Sequence, residues 1–491
     1  MRNDLIHRLK FSFENWPTEI AVHVGGIDYT YRQLDDESDR IANFLVNKFP
    51  EERYIGVWGE KVFSTYAAII GVIKAGKTYV PLNPNFPVKK NLLVIKESGI
   101  NFVFCSNNSR PSVESLGLTV LDCRLSEFKI SNSQLNLESN SPVYLLFTSG
   151  STGNPKGVGI TQRQLLHYLD SVSKKIILNP GNRVSHTFDL TFDLSIHDLF
   201  FTFIHGATLC VPYETELISP LSYIKSKRIT HWFSVPSVLK IMHKLRQLKK
   251  DNLSELKYAM FCGEALPSFQ VSALKAVMPA DSKVFNLYGP TEATISISCY
   301  EVIDNFKEIS GNVCIGQVFS GNNYKIIDLE GKESDKGELL LEGQQVITSY
   351  FNAKTGLESF WKDDQGVSWY RTGDLVEKDK DGDLFFCGRV DTQVKLNGFR
   401  VELLEIEMLL LGILSVQNVI CFVESENFKL VAVIESDQRF EPGKIISQLS
   451  EVLPTYMVPK IFLYLDKFPM NSNHKIDRMA IKEWYSRNGK N

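Results

Sequence analysis

The chain has 491 residues, 43% of them hydrophobic and 23% charged, with a formal net charge of -3. That length exceeds one compact core and implies about three domains, while so small a net charge excludes a mainly electrostatic attraction to nucleic acid or to an anionic membrane surface. The first residues carry no apolar signal segment, no run approaches the ~20 apolar residues of a membrane span, and the eight cysteines contain no Cys-x-x-Cys pair, which argues against a zinc site or a disulfide framework and for the reducing cytoplasm.

Strand-like and helix-like segments alternate for most of the chain. Residues 53–58 read as a strand, 62–75 as an apolar-faced helix ending at Gly76, and 77–82 as a second strand. Further short apolar runs lie at 101–105, 143–147, 208–212, 258–262 and 283–287, separated by helical stretches, the pattern of parallel sheets covered by helices. From Asn323 the strands shorten and turn signals such as Asp379-Lys380-Asp381-Gly382-Asp383 appear, as in an antiparallel or barrel-like subdomain. After Gly388-Arg389-Val390-Asp391 the pattern restarts, with a helix over 401–411, strands over 416–424 and 429–435, and a helix over 442–453. The fold class is therefore α/β: a large domain over 1–390, with mixed or parallel sheets and the barrel-like part, and a small α+β domain over 391–491.

The run 143–147 opens into Thr148-Ser149-Gly150-Ser151-Thr152-Gly153-Asn154-Pro155-Lys156-Gly157. Glycines let a backbone approach oxygens closely, hydroxyls and amides donate, and a lysine adds a cation, so such a loop suits a polyphosphate. It is not a Walker loop, because Lys156 follows Pro155 and no hydroxyl follows the lysine. A lone loop of this kind is more often a surface turn, and what overrides that reading is the rest of the chain. Four more motifs follow it in order: Phe192-Asp193-Leu194-Ser195, Asn286-Leu287-Tyr288-Gly289-Pro290-Thr291-Glu292, Tyr370-Arg371-Thr372-Gly373-Asp374, and Gly388-Arg389-Val390-Asp391 running on to Lys395-Leu396-Asn397-Gly398-Phe399-Arg400; near the end stands Asn473-His474-Lys475-Ile476-Asp477-Arg478.

Together with Tyr29-Thr30-Tyr31-Arg32-Gln33-Leu34 and Lys74-Ala75-Gly76-Lys77-Thr78-Tyr79-Val80-Pro81-Leu82, these motifs resemble the adenylate-forming superfamily over nearly the whole chain. Within it the chain is most similar to amino-acid adenylation domains, and among these to free-standing amino-acid–carrier-protein ligases of the D-alanine-activating type, a likeness carried by 261–267 and 286–294. The resemblance implies an ATP- and Mg2+-dependent reaction in two steps. A carboxylate attacks the α-phosphate of ATP to give acyl-AMP and pyrophosphate, and the phosphopantetheine thiol of a separate carrier protein then displaces AMP. No attachment site for a fused carrier domain is expected after Arg478.

Residue by residue, the resemblance implies that Thr148, Ser149, Gly150, Ser151, Thr152, Gly153 and Lys156 grip the β- and γ-phosphates, Glu292 holds Mg2+ and Thr291 donates to the α-phosphate. Tyr288 offers its ring to the adenine, Gly263 and Glu264 line that pocket with Asn286 and Gly289, Asp374 accepts from the ribose hydroxyls, and Arg389 sits near ribose and phosphate. Lys475 bridges the acyl carboxylate and the α-phosphate as the main catalytic group of the first step. Asp391 is the hinge about which the small domain rotates between the half-reactions, with Gly398 bordering the thiol channel.

Asp193 marks the substrate class, because in amino-acid-activating members the carboxylate here pairs with the substrate ammonium; a helix cap is the competing account. By motif position the pocket continues through Leu194, His197, Ser234, Met260, Cys262, Leu287, Ile295 and Ser296. It holds no second charge, and Met260, Leu287 and Ile295 narrow it, so a small or medium apolar amino acid is expected, with D-alanine the leading single candidate. His197 departs from the apolar residue of the D-alanine type and reads either as a core histidine or as a partner for a polar side chain; Cys262 reads as a packing residue. Two other classes stay open: an acyl-coenzyme A ligase, and a nucleotide-binding regulatory protein without catalysis.

Overall fold

A computed structural model describes residues 4–121, 141–148, 155–352, 356–396, 398–424, 429–470 and 476–489. They divide into two compact units. The first holds the chain through Pro84, Ile95–Phe147 and Lys156–Val390; the second holds Asn85–Val94, Thr148–Pro155 and the chain from Asp391.

Two helix-covered sheets dominate the first unit. The six-stranded sheet runs in the order Thr119–Leu121, Phe102–Phe104, Tyr54–Trp58, Thr78–Leu82, Pro142–Thr148, Lys156–Thr161. The nine-stranded sheet runs Gln317–Val318, Ser298–Glu301, Lys283–Tyr288, Tyr258–Phe261, His231–Ser234, Arg183–Ser185, Thr208–Cys210, Ile20–Val24, Ile27–Thr30, parallel in the middle and antiparallel at both ends. The expected strands lie where the apolar runs place them, with ends moved by a residue or two.

Local chemistry sets several helix starts. Thr30 accepts from the Gln33 N–H while the Gln33 side-chain oxygen accepts from the Thr30 N–H at 2.8 Å, a capping box that opens Tyr31–Lys48. That helix lies against the buried helix Phe63–Lys74, where Ile69, Ile70, Val72 and Ile73 are almost fully covered and each contributes about 1.5–3 kcal/mol by burial. The two backbones approach closely at Gly71, where a side chain would stand 2.6 Å from Ile41.

The region expected to be barrel-like is a five-stranded antiparallel sheet. Its long strand Ser368–Lys378 pairs with Lys336–Gly343 on one side and with Phe360–Lys362 and Leu384–Arg389 on the other, and Asn322–Ile327 extends it beyond Lys336–Gly343.

In the second unit the strands Val419–Val423, Leu430–Glu435 and Ile461–Leu465 form one sheet. Alternation along it fills two cores: Cys421, Leu430 and Ala432 pack with Ile406 and Leu449, while Phe422, Val431 and Val433 pack with Ile481 and Tyr485. The helix expected over 401–411 is Leu403–Leu414 instead, because Phe399–Glu402 pairs as a strand with Gln393–Leu396 and postpones the helix. The helix expected over 442–453 ends at Ser450. Among the described residues no helix is long and apolar enough to cross a membrane.

Candidate active site

The strand Pro142–Thr148 ends at half-buried Thr148; Ser149, Gly150, Ser151, Thr152 and Gly153, named above for the phosphates, lie outside the described residues, as does Lys475. Lys156 opens the next strand, Lys156–Thr161. Its Nζ stands 5.1 Å from the ring centroid of Tyr350 and 3.8 Å from Glu358 Oε1. The Tyr350 hydroxyl donates to Glu292 Oε1 at 2.9 Å, and Glu292 is fully buried. Tyr350 therefore joins the loop lysine to the carboxylate expected to hold Mg2+. Sequence reasoning missed it: a tyrosine 58 residues beyond its partner carries no spacing signal.

Glu292 belongs to the turn Thr291–Ala293, between the strands Lys283–Tyr288 and Ser298–Glu301. The chain returns through Thr294 and Ile295, both at positive φ (58° and 69°), a conformation that non-glycine residues hold only when their surroundings impose it. Buried Gln345 imposes it: its Nε2 donates to the carbonyls of Ser296 (2.8 Å) and Ala293 (3.3 Å), its own carbonyl accepts from Thr294 Oγ1 (2.6 Å), and its Oε1 accepts from Asn322 Nδ2 (3.1 Å). Nothing in the sequence around Gln345 signals this role. Gly289 is required for close approach, because a Cβ there would lie 2.6 Å from Ser296 Cα and 2.8 Å from Ile297 N. Since backbone cannot swing aside as a side chain can, Gly289→Ala is expected to destabilise the protein by about 1–3 kcal/mol. A thermal-unfolding midpoint lowered by several degrees, with amino-acid-dependent activity reduced, would bear this out, and an unchanged midpoint would refute it.

Tyr288 ends the strand Lys283–Tyr288 and its hydroxyl donates to Asp374 Oδ2 at 2.5 Å. Burial, reinforced by Asp374, pushes that hydroxyl well above the ordinary phenol range, so it remains a neutral donor. Asp374 Oδ1 is ion-paired with Arg389, which also donates to the Thr372 carbonyl at 3.1 Å. Both carboxylate oxygens expected to receive the ribose hydroxyls are thus engaged by protein donors, and Asp374, Tyr288 and Arg389 form one contiguous group. Glu264 accepts from the Ser237 N–H at 2.8 Å, within the first turn of the helix Pro236–Lys244, with Gly263 beside it at the end of Tyr258–Phe261. Asn286 has a scaffolding contact: its Nδ2 donates to the carbonyls of Cys314 (2.9 Å) and Val313 (3.3 Å).

The residues named for the substrate converge from three adjacent parallel strands and one helix. Ser234, Met260, Cys262 and Leu287 stand at or near the carboxyl ends of His231–Ser234, Tyr258–Phe261 and Lys283–Tyr288, the end where open α/β sheets bind ligands. Ile295 and Ser296 come from the positive-φ return, and Leu194 and His197 from the helix Leu194–Phe203. Asp193 immediately precedes that helix in αR conformation and makes no side-chain cap bond, so the capping account of this carboxylate does not hold. All of these residues are buried, Asp193 the least so at 4% exposure.

Tyr168 is a further member that the motifs did not reveal. Its hydroxyl is 2.8 Å from His197 Nδ1, and burial holds it far above the ordinary phenol range; the Ser296 hydroxyl opposes that shift, while Cys262, Cys299 and Asp193 add to it. The His197 ring stacks on Phe201 at 5.0 Å and meets Phe233 edge-on at 4.6 Å. Burial, helped by His231 and His205, pushes its pKa down to about 3, so it is neutral wherever the protein is folded near neutral pH. His197 is a packed wall residue with one nitrogen tied to Tyr168. At the start of the second unit, Asp391 Oδ1 accepts from the Gln393 N–H at 3.0 Å.

A family model described as AMP-binding enzyme matches residues 9–351. The chain is 30% identical over 509 residues to a D-alanine–D-alanyl carrier protein ligase of Listeria monocytogenes serotype 4b, covering 98% of this chain and 99% of the relative. It is likewise 30% identical over 500 residues to a D-alanine–D-alanyl carrier protein ligase of Bacillus licheniformis, with the same coverage. Among solved structures it resembles the Vibrio cholerae adenylation domain AlmE in complex with glycyl-adenosine-5'-phosphate, at TM-score 0.91 and 25% identity over 99% of this chain and 98% of that one. It also shares its fold with holo-PA1221, a protein containing adenylation and PCP domains, at TM-score 0.83 and 22% identity over 98% of this chain and 84% of that one.

Proposed function

The chain belongs to the AMP-binding enzyme family and is an adenylate-forming ligase, and from that premise we propose that it activates a small amino acid, with D-alanine the leading single candidate, and passes it to the phosphopantetheine thiol of a separate carrier protein. Asp193 carries the reading: a buried carboxylate that makes no helix-cap bond, immediately before the helix that carries Leu194 and His197, suits an ammonium group as partner. The D-alanine ligases among the relatives and the glycyl-adenylate held by AlmE support a small side chain, as does the near-complete burial of Met260, Leu287 and Ile295.

In the first step a substrate carboxylate oxygen bonds to the α-phosphorus of ATP and the bond to the β-phosphate oxygen breaks, releasing pyrophosphate. Negative charge accumulates on both sides of that phosphorus. Lys156 and Lys475 are the cations assigned to offset it, and Thr291 the hydroxyl donor. Mg2+, when bound, neutralises phosphate charge. Glu292 suits it, because a hard cation that prefers oxygen and phosphate partners needs few protein carboxylates, and the Tyr350 hydroxyl orients Glu292 through one oxygen. Asp374 and Arg389 are assigned to the ribose, and Tyr288, Gly263 and Glu264 to the adenine. In the second step the thiol sulfur attacks the acyl carbon, the bond to AMP breaks, and AMP leaves as a thioester forms. Asp391 is the proposed pivot for the change between the two steps.

Amino-acid-dependent ATP–pyrophosphate exchange tests this directly, across the L-amino acids, glycine, D-alanine and simple carboxylic acids. Exchange with one small amino acid is the expected result. Exchange only with acids lacking an amine would move the chain to the acyl-coenzyme A ligases and remove the role of Asp193, and absence of exchange with any acid would overturn the proposal.

A further inference from the structure

The turn that delivers Asp193 is held from the other sheet of the same unit. Residues 186–193 connect the strand Arg183–Ser185 to the helix Leu194–Phe203. Within this connection Asp189 shapes its own turn: Oδ1 accepts from the Thr191 N–H (2.9 Å) and hydroxyl (2.7 Å), and the Asp189 carbonyl accepts from the Phe192 N–H (3.0 Å). Two side chains then reach it from the six-stranded sheet. Asn83, just beyond the strand Thr78–Leu82, donates from Nδ2 to Asp189 Oδ2 at 2.7 Å. Lys61, just beyond Tyr54–Trp58, donates from Nζ to the carbonyls of Thr187 (2.8 Å) and His186 (3.4 Å). Leu190 packs beneath Gly59, 3.8 Å from where a Cβ there would be.

We infer that Lys61, with Asn83, is a positioning clamp for the ammonium-binding carboxylate: it fixes the 186–192 connection and through it the place of Asp193, without touching substrate. This rests on the proposed role of Asp193. None of the sequence motifs includes Lys61, and neither Lys61 nor Asn83 lies near the phosphate or adenine residues in sequence. An ammonium binding two backbone carbonyls and facing a carboxylate holds a loop through charge-assisted bonds, about twice as strong as neutral ones.

The electrostatics agree with the geometry. Burial lowers the Lys61 pKa to about 8 against the pull of Asp189 and Asp198. The charged and titratable groups acting on it are the Asp189 carboxylate in the turn, Asp198 on the helix Leu194–Phe203 and His186 after the strand Arg183–Ser185. Burial drives Asp198 well above the carboxylate range and His186 well below the imidazole range. Lys61 loses its charge as pH rises through about 8, and the clamp weakens in that direction.

The experiment is ATP–pyrophosphate exchange by wild type, Lys61→Met, Lys61→Arg and Asn83→Ala, with KM for the amino acid and for ATP read separately at several pH values, and thermal unfolding measured alongside. Lys61→Met is expected to raise the amino-acid KM about tenfold while the KM for ATP and kcat stay within about twofold. Lys61→Arg is expected to recover most of that loss, and Asn83→Ala to raise the amino-acid KM by about threefold. The wild-type amino-acid KM should climb above about pH 8, and the Lys61→Met value should lack that rise. An unchanged amino-acid KM in Lys61→Met, or KM values for both substrates rising together with a lowered unfolding temperature, would overturn the clamp. If Lys61→Met fails to fold, Asn83→Ala and the wild-type pH profile decide, and a flat profile overturns it. Wild-type exchange restricted to acids lacking an amine would instead overturn the role of Asp193, so the two failures are distinguishable.

Discussion

Lys475→Ala is expected to slow adenylate formation by about 10²–10³-fold while leaving ATP affinity within about twofold. The size follows from the charge balance of the first step. Two anions, a carboxylate and an α-phosphate, must meet, and a cation placed between them acts most strongly where their charges overlap, at the transition state rather than in the ATP complex. ATP itself has other partners assigned to it in Lys156, Glu292, Asp374 and Arg389. The residues that follow Lys475 are firmly anchored. Ile476 bridges to Met470, Asp477 caps the helix Arg478–Asn488 by accepting from the Ala480 N–H at 3.0 Å, and Arg478 makes a two-bonded contact with buried Glu407 at 2.9 and 2.6 Å. Thermal unfolding of the variant, measured alongside, separates a loss of chemistry from a loss of folding. Single-turnover adenylate formation beside equilibrium nucleotide binding checks it, and a rate like that of wild type would remove Lys475 from the catalytic role.

Asp193→Ala is expected to raise the KM for the amino acid by about 10²–10³-fold, equivalent to about 3–4 kcal/mol, the lower part of the 3–5 kcal/mol lost when one member of a buried ion pair is removed. KM for ATP should stay close to wild type. Thermal unfolding measured alongside separates lost recognition from lost folding, and the helix Leu194–Phe203 loses no cap bond with Asp193. This distinguishes it from Gly289→Ala, where the loss begins with backbone packing. Steady-state exchange kinetics with each substrate varied in turn decide the matter. An unchanged amino-acid KM beside weakened ATP binding would mean that the carboxylate serves the nucleotide. Asp193→Ala and Lys61→Met act on one recognition element, so their effects should be less than additive, as expected for coupled neighbours.

How far the site was legible depends on the range of the interactions that build it. The apolar runs that became Tyr54–Trp58, Thr78–Leu82 and Lys283–Tyr288, and the glycine-and-hydroxyl composition after Pro142–Thr148, all act within a few residues, and those could be read along the chain. The same local chemistry was ambiguous at Asp193, where a cap and an ammonium partner need the same side chain, and the structure removed the cap. It misjudged the start of Leu403–Leu414, because pairing of Phe399–Glu402 with Gln393–Leu396 overrode the helical pattern.

By itself, then, the sequence determined the α/β class, the helix-covered parallel strands followed by an antiparallel region, the family, and the residue types available for phosphate, ribose and ammonium. Tertiary structure alone decided who holds those residues in place: Tyr350 on Glu292, Arg389 and Tyr288 on Asp374, Gln345 under the Thr294–Ser296 return, Tyr168 on His197, Lys61 and Asn83 on the turn before Asp193. The physical reason is common to all of them. Periodicity and turn chemistry record which way a residue faces within its own element, but these contacts join residues up to 126 positions apart. Which of them meet depends on strand order and on the closeness of packing between elements, and neither leaves a local trace in the chain.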